Sequence, residues 1–196
     1  MMNVVSEAVS LSVPLIEQRL ITSIPFNEDT FRYFVFDSLI RSGIDIKRLV
    51  LEYPSSEVSG EKIDTVILNS EGVIPEIAIE FKYHRSNPSG RNLPSTMSAG
   101  QLLADYAKLR EFSSGQRIVV YLTDGEMLRY FGNSRNGLSM LLDLNGESEI
   151  FDGTLPITKT LREHAGDWSR GVRLSLISRW DLGSENNLFV WEIEPM

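Results

Sequence analysis

An α/β (α+β) fold with a mixed central sheet flanked by helices is what this chain predicts, on three observations. An amphipathic stretch over 28–41 precedes three strand-like runs. A second helical stretch over 98–112 separates the third run from a fourth. That fourth run, 117–122, is continuous and β-branched, the pattern of a buried strand. The order is helix, three strands, helix, strand, which builds a sheet with helices packed on it. At 196 residues one domain over 1–196 is expected, with a core at 27–131. Residues 132–196 form a C-terminal extension packed on that core.

Taken in order, residues 1–13 show no clear period and predict a loose arm, and Pro14 to Ser23 a short helix. Asn27 is an N-cap, with Glu28 and Asp29 in the first turn, where the helix dipole favours acids. Phe31, Phe34, Val35 and Leu39 mark one face of this helix, and Tyr33, Phe36 and Ile40 a second, so burial on more than one side is expected. Gly43 closes it. Arg48 to Tyr53 reads as a strand stopped by Pro54, and two further runs follow, 62–68 and 73–83. The loop 86–96 holds two prolines and a glycine. In the next helix Leu102, Leu103, Tyr106 and Leu109 are the apolar stripe, and Gly115 marks its end.

Beyond Asp124 the pattern weakens. Glu126 to Phe131 predicts a short helix, and Leu138 to Leu144 fits a strand or a helix. Thr158 to Trp168 predicts a helix, and Val172–Arg179 with Leu188–Ile193 a hairpin that either extends the sheet or stands apart.

Composition excludes several chemistries. With no cysteine there are no disulfides and no thiolate zinc site, which fits a reducing cytoplasmic setting. Two histidines, His84 and His164, are too few for a histidine-built metal centre. No apolar run is long enough to cross a bilayer, and no basic start followed by an apolar stretch marks a secretory signal. The net charge of −8 opposes nucleic-acid binding in sum, but no acid occurs from Phe81 through Ala104, a window containing Lys82, His84, Arg85 and Arg91.

The chemistry concentrates where the second and third runs meet. Asn69-Ser70-Glu71-Gly72 is a turn set with a glycine available for positive φ. A hairpin closing at Glu71, or one residue either side, sets Asp64 beside Glu80, with Lys82 two residues on. The two carboxylates and the ammonium then crowd one edge of an apolar sheet. A one-residue slip would separate them. Two like charges about 5 Å apart at an effective dielectric of about 20 repel by roughly 3 kcal/mol. A hard divalent cation removes that penalty, because Mg²⁺ prefers carboxylate oxygens. A structural ion-pair network with Lys82 is the alternative reading of the same three residues.

These residues, in this element order, carry a resemblance. The pieces are Leu51-Glu52-Tyr53-Pro54, Lys62-Ile63-Asp64-Thr65-Val66-Ile67-Leu68 and Ile77-Ala78-Ile79-Glu80-Phe81-Lys82, then Gln101-Leu102-Leu103-Ala104-Asp105-Tyr106 and Tyr121-Leu122-Thr123-Asp124-Gly125. Together they resemble the PD-(D/E)XK nuclease superfamily. More narrowly, residues 48–131 look like the nuclease domain at the N-terminus of type I restriction enzyme R subunits and its stand-alone relatives. Ile63 stands where the family carries a proline, and Tyr106 falls one residue late in the helix motif, which makes it a core residue. No phosphate-cradling G-x-x-x-x-G-K-[ST] loop occurs, so the chain holds no ATP-driven motor of that kind.

The resemblance implies a restriction-endonuclease-like αβββαβ core and hydrolysis of DNA phosphodiester bonds with Mg²⁺ or Mn²⁺. Asp64, Glu80 and the Phe81 backbone carbonyl would ligate the metal. Lys82 would orient the attacking water or stabilise charge on the phosphoryl oxygens. Gln101 would hydrogen-bond the nucleophile or the DNA backbone, and Arg85 and Arg91 are candidate phosphate clamps. A third acid is drawn from Glu28, Asp37 or Glu52. His84 reads as a loop histidine and Asp124 as a cap. The implied partners are DNA, a restriction or defence assembly, and a second copy in a homodimer. The competing function is a nuclease-fold module that binds nucleic acid or protein without cutting.

Overall fold

A computed structural model describes residues 3–22, 24–55, 60–85, 93–142, 147–155 and 158–196. The first element corrects the expected loose arm: helix α1 spans Val4–Leu20 without a break. Asn3 caps it, its side chain accepting the Val5 N–H at 2.9 Å. Val5, Ala8, Val9, Ser12 and Ile16 form a buried stripe whose serines disguise the period. Pro14 sits inside this helix on the exposed side. The carbonyl it leaves unpaired, that of exposed Ser10, can turn to water, so the break expected at Pro14 does not occur.

Helix α2, Glu28–Arg41, starts where Asn27 predicts, its side chain accepting the Thr30 N–H at 2.9 Å. Gly43, at φ 93°, completes the stop, and the next N–H, that of Ile44, reaches back to the Leu39 carbonyl at 3.1 Å. Phe31, Val35, Ser38 and Leu39 are buried. Of the expected second face, Phe36 and Ile40 are half-buried, whereas Tyr33 is 58 % exposed.

Seven strands form one mixed sheet: β1 (Leu49–Pro54), β2 (Lys62–Leu68), β3 (Pro75–His84), β4 (Gln116–Thr123), β5 (Glu147–Ile150), β6 (Val172–Asp181) and β7 (Asn187–Pro195). Their spatial order is β1-β2-β3-β4-β7-β6-β5. Only β3 and β4 pair in parallel. A parallel pair needs a crossover, and helix α3 (Ser95–Glu111) supplies it. The C-terminal hairpin therefore extends the sheet, with β7 alongside β4. β5 escapes sequence reading because four residues, Glu-Ser-Glu-Ile, carry no usable period.

The sheet separates two apolar clusters. On one face α1 and α2 pack over Ile67, Ile77, Ile79, Phe81, Ile118, Val120 and Val190. On the other, α3, helix α4 (Gly125–Gly132) and helix α5 (Lys159–His164) cover Val66, Ala78, Val119, Tyr121, Phe189 and Trp191. α5 is shorter than the predicted 158–168 helix: Gly166 turns the chain at φ 77°. Trp168 then folds back, its indole donating to the Ala165 carbonyl at 2.7 Å. Gly100 of α3 lets the two helices close up, since a Cβ there would lie 2.6 Å from the His164 Cβ. Ser139–Leu142 is a short 3-10 turn, neither strand nor α-helix, and 143–144 lie outside the described residues. Among the described residues no helix is long and apolar enough to cross a membrane.

Candidate functional site: a fork between two strands

The β2–β3 hairpin closes around Gly72, at φ 74°, one residue past Glu71. Its register pairs Thr65 with Ile79, so Asp64 and Glu80 stand opposite each other where the ladder ends. Side chains take over there. The Asp64 N–H donates to Glu80 Oε1 at 3.3 Å, and the Phe81 N–H donates to Asp64 Oδ2 at 2.9 Å. Each carboxylate thus accepts a backbone proton from the other strand.

The two acids meet in this gap rather than stacking on one face of the sheet. Glu52 causes the difference. It falls at the level of Asp64, between the Leu51–Thr65 and Tyr53–Ile63 pairs, with φ 51°, in the left-handed region that a β-strand residue normally avoids. Val50 and Val66 pack in the α3-side cluster, and so do Tyr53 and Ile63, although three residues of strict alternation would send them to the opposite face. Asp64 is reached from the α2 side, by Arg32, whose Nη2 lies 3.3 Å from Asp64 Oδ1. Arg32 also donates to Glu52. Glu80 is reached from the α3 side, by Lys108, whose Nζ lies 2.9 Å from Glu80 Oε2 and donates to the Lys62 carbonyl at 3.0 Å.

Lys82 follows Glu80 on the same face. Its Nζ lies 3.0 Å from Asp105 Oδ2 and 4.0 Å from Glu28 Oε2. Glu28 Oε2 also accepts the Tyr83 N–H at 3.0 Å, tying the start of α2 to the end of β3. Burial sets the protonation pattern. Glu80, 2 % exposed, is pushed well above the usual carboxylate range by desolvation, then by Asp64 and Asp105, with Lys108 opposing. Asp105 is raised chiefly by desolvation, against the pull of Lys82 and Lys108. Glu28 is raised by burial, with Lys82 again opposing. Burial works against the Lys82 ammonium, but Asp105 and Glu28 outweigh it and hold its pKa above the ordinary lysine value.

Of the other predicted residues, Gln101 sits half-buried on α3 beside His84. His84 is the last residue of β3, not a loop residue; it is 8 % exposed, and its Nδ1 lies 3.3 Å from the Tyr121 hydroxyl. Burial first, then Lys82, lowers its pKa to about 4. Arg85 leaves the strand end and donates to the Tyr83 hydroxyl at 3.4 Å. Arg91 lies outside the described residues. Among the three candidate acids, Glu28 and Glu52 reach the cluster, whereas Asp37 pairs with Arg41 at 3.9 Å on the exposed face of α2. Asp124 caps α4, accepting the Glu126 and Met127 N–H groups, and Tyr106 is fully buried in the core.

Sequence reasoning missed Arg32 and Lys108 and gave Asp105 no role. A signal existed for each. Gln101, Asp105 and Lys108 fall at i, i+4 and i+7 on α3, a polar stripe beside an apolar one, and Arg32 is i+4 from Glu28.

The oxygen donors suit a hard cation. Glu28, Asp64, Glu80 and Asp105 gather around Arg32, Lys82 and Lys108, and Glu52 shares Arg32 with Asp64. Burial is the main cause of the upward push on Glu80, and the neighbouring Asp64 and Asp105 add to it. Among the described residues no three carboxylate or imidazole groups converge as a ready-made metal cage. What the fork offers is a carboxylate pair, within the one or two carboxylates that Mg²⁺ usually takes from protein. No protein-family model matches the chain, and no curated protein or solved structure matches it significantly.

Proposed function

We propose that this chain is a divalent-metal-dependent nuclease that hydrolyses DNA phosphodiester bonds, acting in restriction or other genome defence. The reading rests on one observation: Asp64 and Glu80 accept hydrogen bonds across the β2–β3 fork, with Lys82 held beside them. The order α2-β1-β2-β3-α3-β4 around that fork supports it, because it is the order the PD-(D/E)XK resemblance implies. Asp64, Glu80 and the Phe81 carbonyl would hold Mg²⁺ or Mn²⁺. When bound, the cation supplies Lewis acidity toward the scissile phosphate and a lowered pKa for the attacking water.

The chain's own residues do the rest. Lys82 stays an ammonium, since Asp105 and Glu28 raise its pKa, so it stabilises phosphoryl charge and donates to the water rather than removing a proton. Asp105 and Glu28 fix where that ammonium points. Gln101, from the same stripe as Asp105, is a donor for the nucleophile or the DNA backbone. Arg85 is a candidate phosphate clamp at the exit of β3.

A second reading, a module that binds nucleic acid or protein without cutting, draws on the charges. Arg32, Lys82 and Lys108 are each paired with an acid, and the net charge is −8. Plasmid cleavage with Mn²⁺, Mg²⁺ or EDTA separates the two. Metal-dependent nicking is expected from the unaltered protein, with a loss of at least about 100-fold in Lys82→Ala. Salt-sensitive DNA binding that survives Lys82→Ala, with no cleavage by either protein, would select the binding module.

A further inference from the structure

We propose that Lys108 is a displaceable counter-ion, holding at Glu80 the charge position a divalent cation takes and leaving it when the cation binds. The inference rests on the metal-site reading and deepens it. Three features carry it. Lys108 makes its contact with Glu80 Oε2, while the other oxygen, Oε1, is already engaged by the Asp64 N–H. Each oxygen of the most buried acid in the fork therefore has a protein partner, and a cation arriving at Oε2 meets the positive charge of the ammonium already there. Lysine suits that exchange, because its head is a compact point charge on a flexible stem, whereas a guanidinium would grip the carboxylate through two parallel bonds.

The displaced ammonium also has somewhere to go. A cleft of about 270 Å³ opens beside Lys108 between α3 and the turn after α5. Its lining includes exposed Glu61, together with Glu111 and Asp167, of which Glu111 is already paired with Arg110 at 2.6 Å. A short swing about the lysine stem would exchange Glu80 for the cleft side that holds exposed Glu61 and keep the charge at the protein–water boundary, where desolvation costs least. Lys82 differs. Its ammonium is held by Asp105 and Glu28, not by a proposed metal ligand, so it stays in place as the cation enters.

The test is Mn²⁺ titration by calorimetry on the unaltered protein, Lys108→Gln and Lys108→Arg, with melting temperature measured alongside. Lys108→Gln removes the competitor, so it should bind Mn²⁺ about tenfold or more tightly and show a larger metal-induced rise in melting temperature. Lys108→Arg retains charge and strengthens the grip on Glu80, so it should bind several-fold more weakly while remaining folded. Opposite shifts in the two variants are the expected signature. Equal affinity in all three proteins, or weakening in both variants, would overturn the counter-ion role while leaving the metal site standing. Absence of Mn²⁺ binding in all three would overturn the metal-site reading and this inference together.

Discussion

Two buried regions on the α3 side of the same sheet use burial in opposite ways. At the β4–β7 pair, Phe189 and Trp191 stack with ring centroids 4.9 Å apart and planes 3° from parallel, and Tyr121 stacks on Trp191 at 6.0 Å. Tyr106 meets Trp191 edge-on from α3. Every group there is apolar or carries its polar atom at the tip, so water removal stabilises the fold. Two strands away, the β2–β3 fork buries Glu80 and Asp105 among lysines, and water removal raises both acids. One region is stabilised by being dry. The other is destabilised by it, a cost that a cation would relieve under the proposed metal-site reading.

The contrast breaks most sharply under truncation of the stack. Trp191→Ala should cost about 3–5 kcal/mol, read as a fall in the urea midpoint, while Mn²⁺ binding at the fork persists in the folded fraction. A loss of metal binding equal to the loss of stability would mean that the two regions are not independent.

His84 lies between them, touching Tyr121 on one side and feeling Lys82 on the other, with Gln101 and Asp124 nearby. Its pKa falls from about 6.5 unfolded to about 4 folded. A depressed histidine stabilises the fold fully above the unfolded value and loses that contribution as pH falls toward the folded one. Between pH 7.5 and 4.5 the unaltered protein should therefore lose about 2–3 kcal/mol more than His84→Gln, measured by urea unfolding at both values. Parallel losses would show that the imidazole is not held neutral by burial.

The smallest expected effect has the opposite sign. Replacing a buried ion pair by neutral groups of similar shape is often neutral or favourable. Glu80→Gln combined with Lys108→Gln should raise stability by about 1–2 kcal/mol while abolishing metal-induced stabilisation and cleavage. A destabilised double variant would make the fork a structural ion-pair network, the alternative its residues allow from the start.

Much of this fork was legible before any tertiary structure. The turn set ending in Gly72 and two β-rich runs locate the hairpin, but the register that sets Asp64 opposite Glu80 also needs the one-residue shift between Ile67 and Leu68, which turn length and side-chain period do not announce. The caps at Asn27 and Asp124 are equally local, each closed within three residues of chain. α1 was not legible, since buried Ser6 and Ser12 interrupt the apolar stripe and Pro14 suggests a start instead of an interior position.

Local sequence thus determined which two strands pair, with an acid on each and a lysine close by, while the shift between Ile67 and Leu68 brought the two acids level. Tertiary structure alone decided that Asp64 and Glu80 meet through a gap, by way of the left-handed Glu52, and that β7 joins the sheet at β4. It also decided which cations answer them: Arg32 crosses 32 residues of chain to Asp64, and Lys108 crosses 28 to Glu80. The reason is physical. Turn geometry and period act over a few residues and leave a trace in composition. A charge partner delivered by a helix depends on where that helix packs, and its spacing within the helix does not identify the strand it will face.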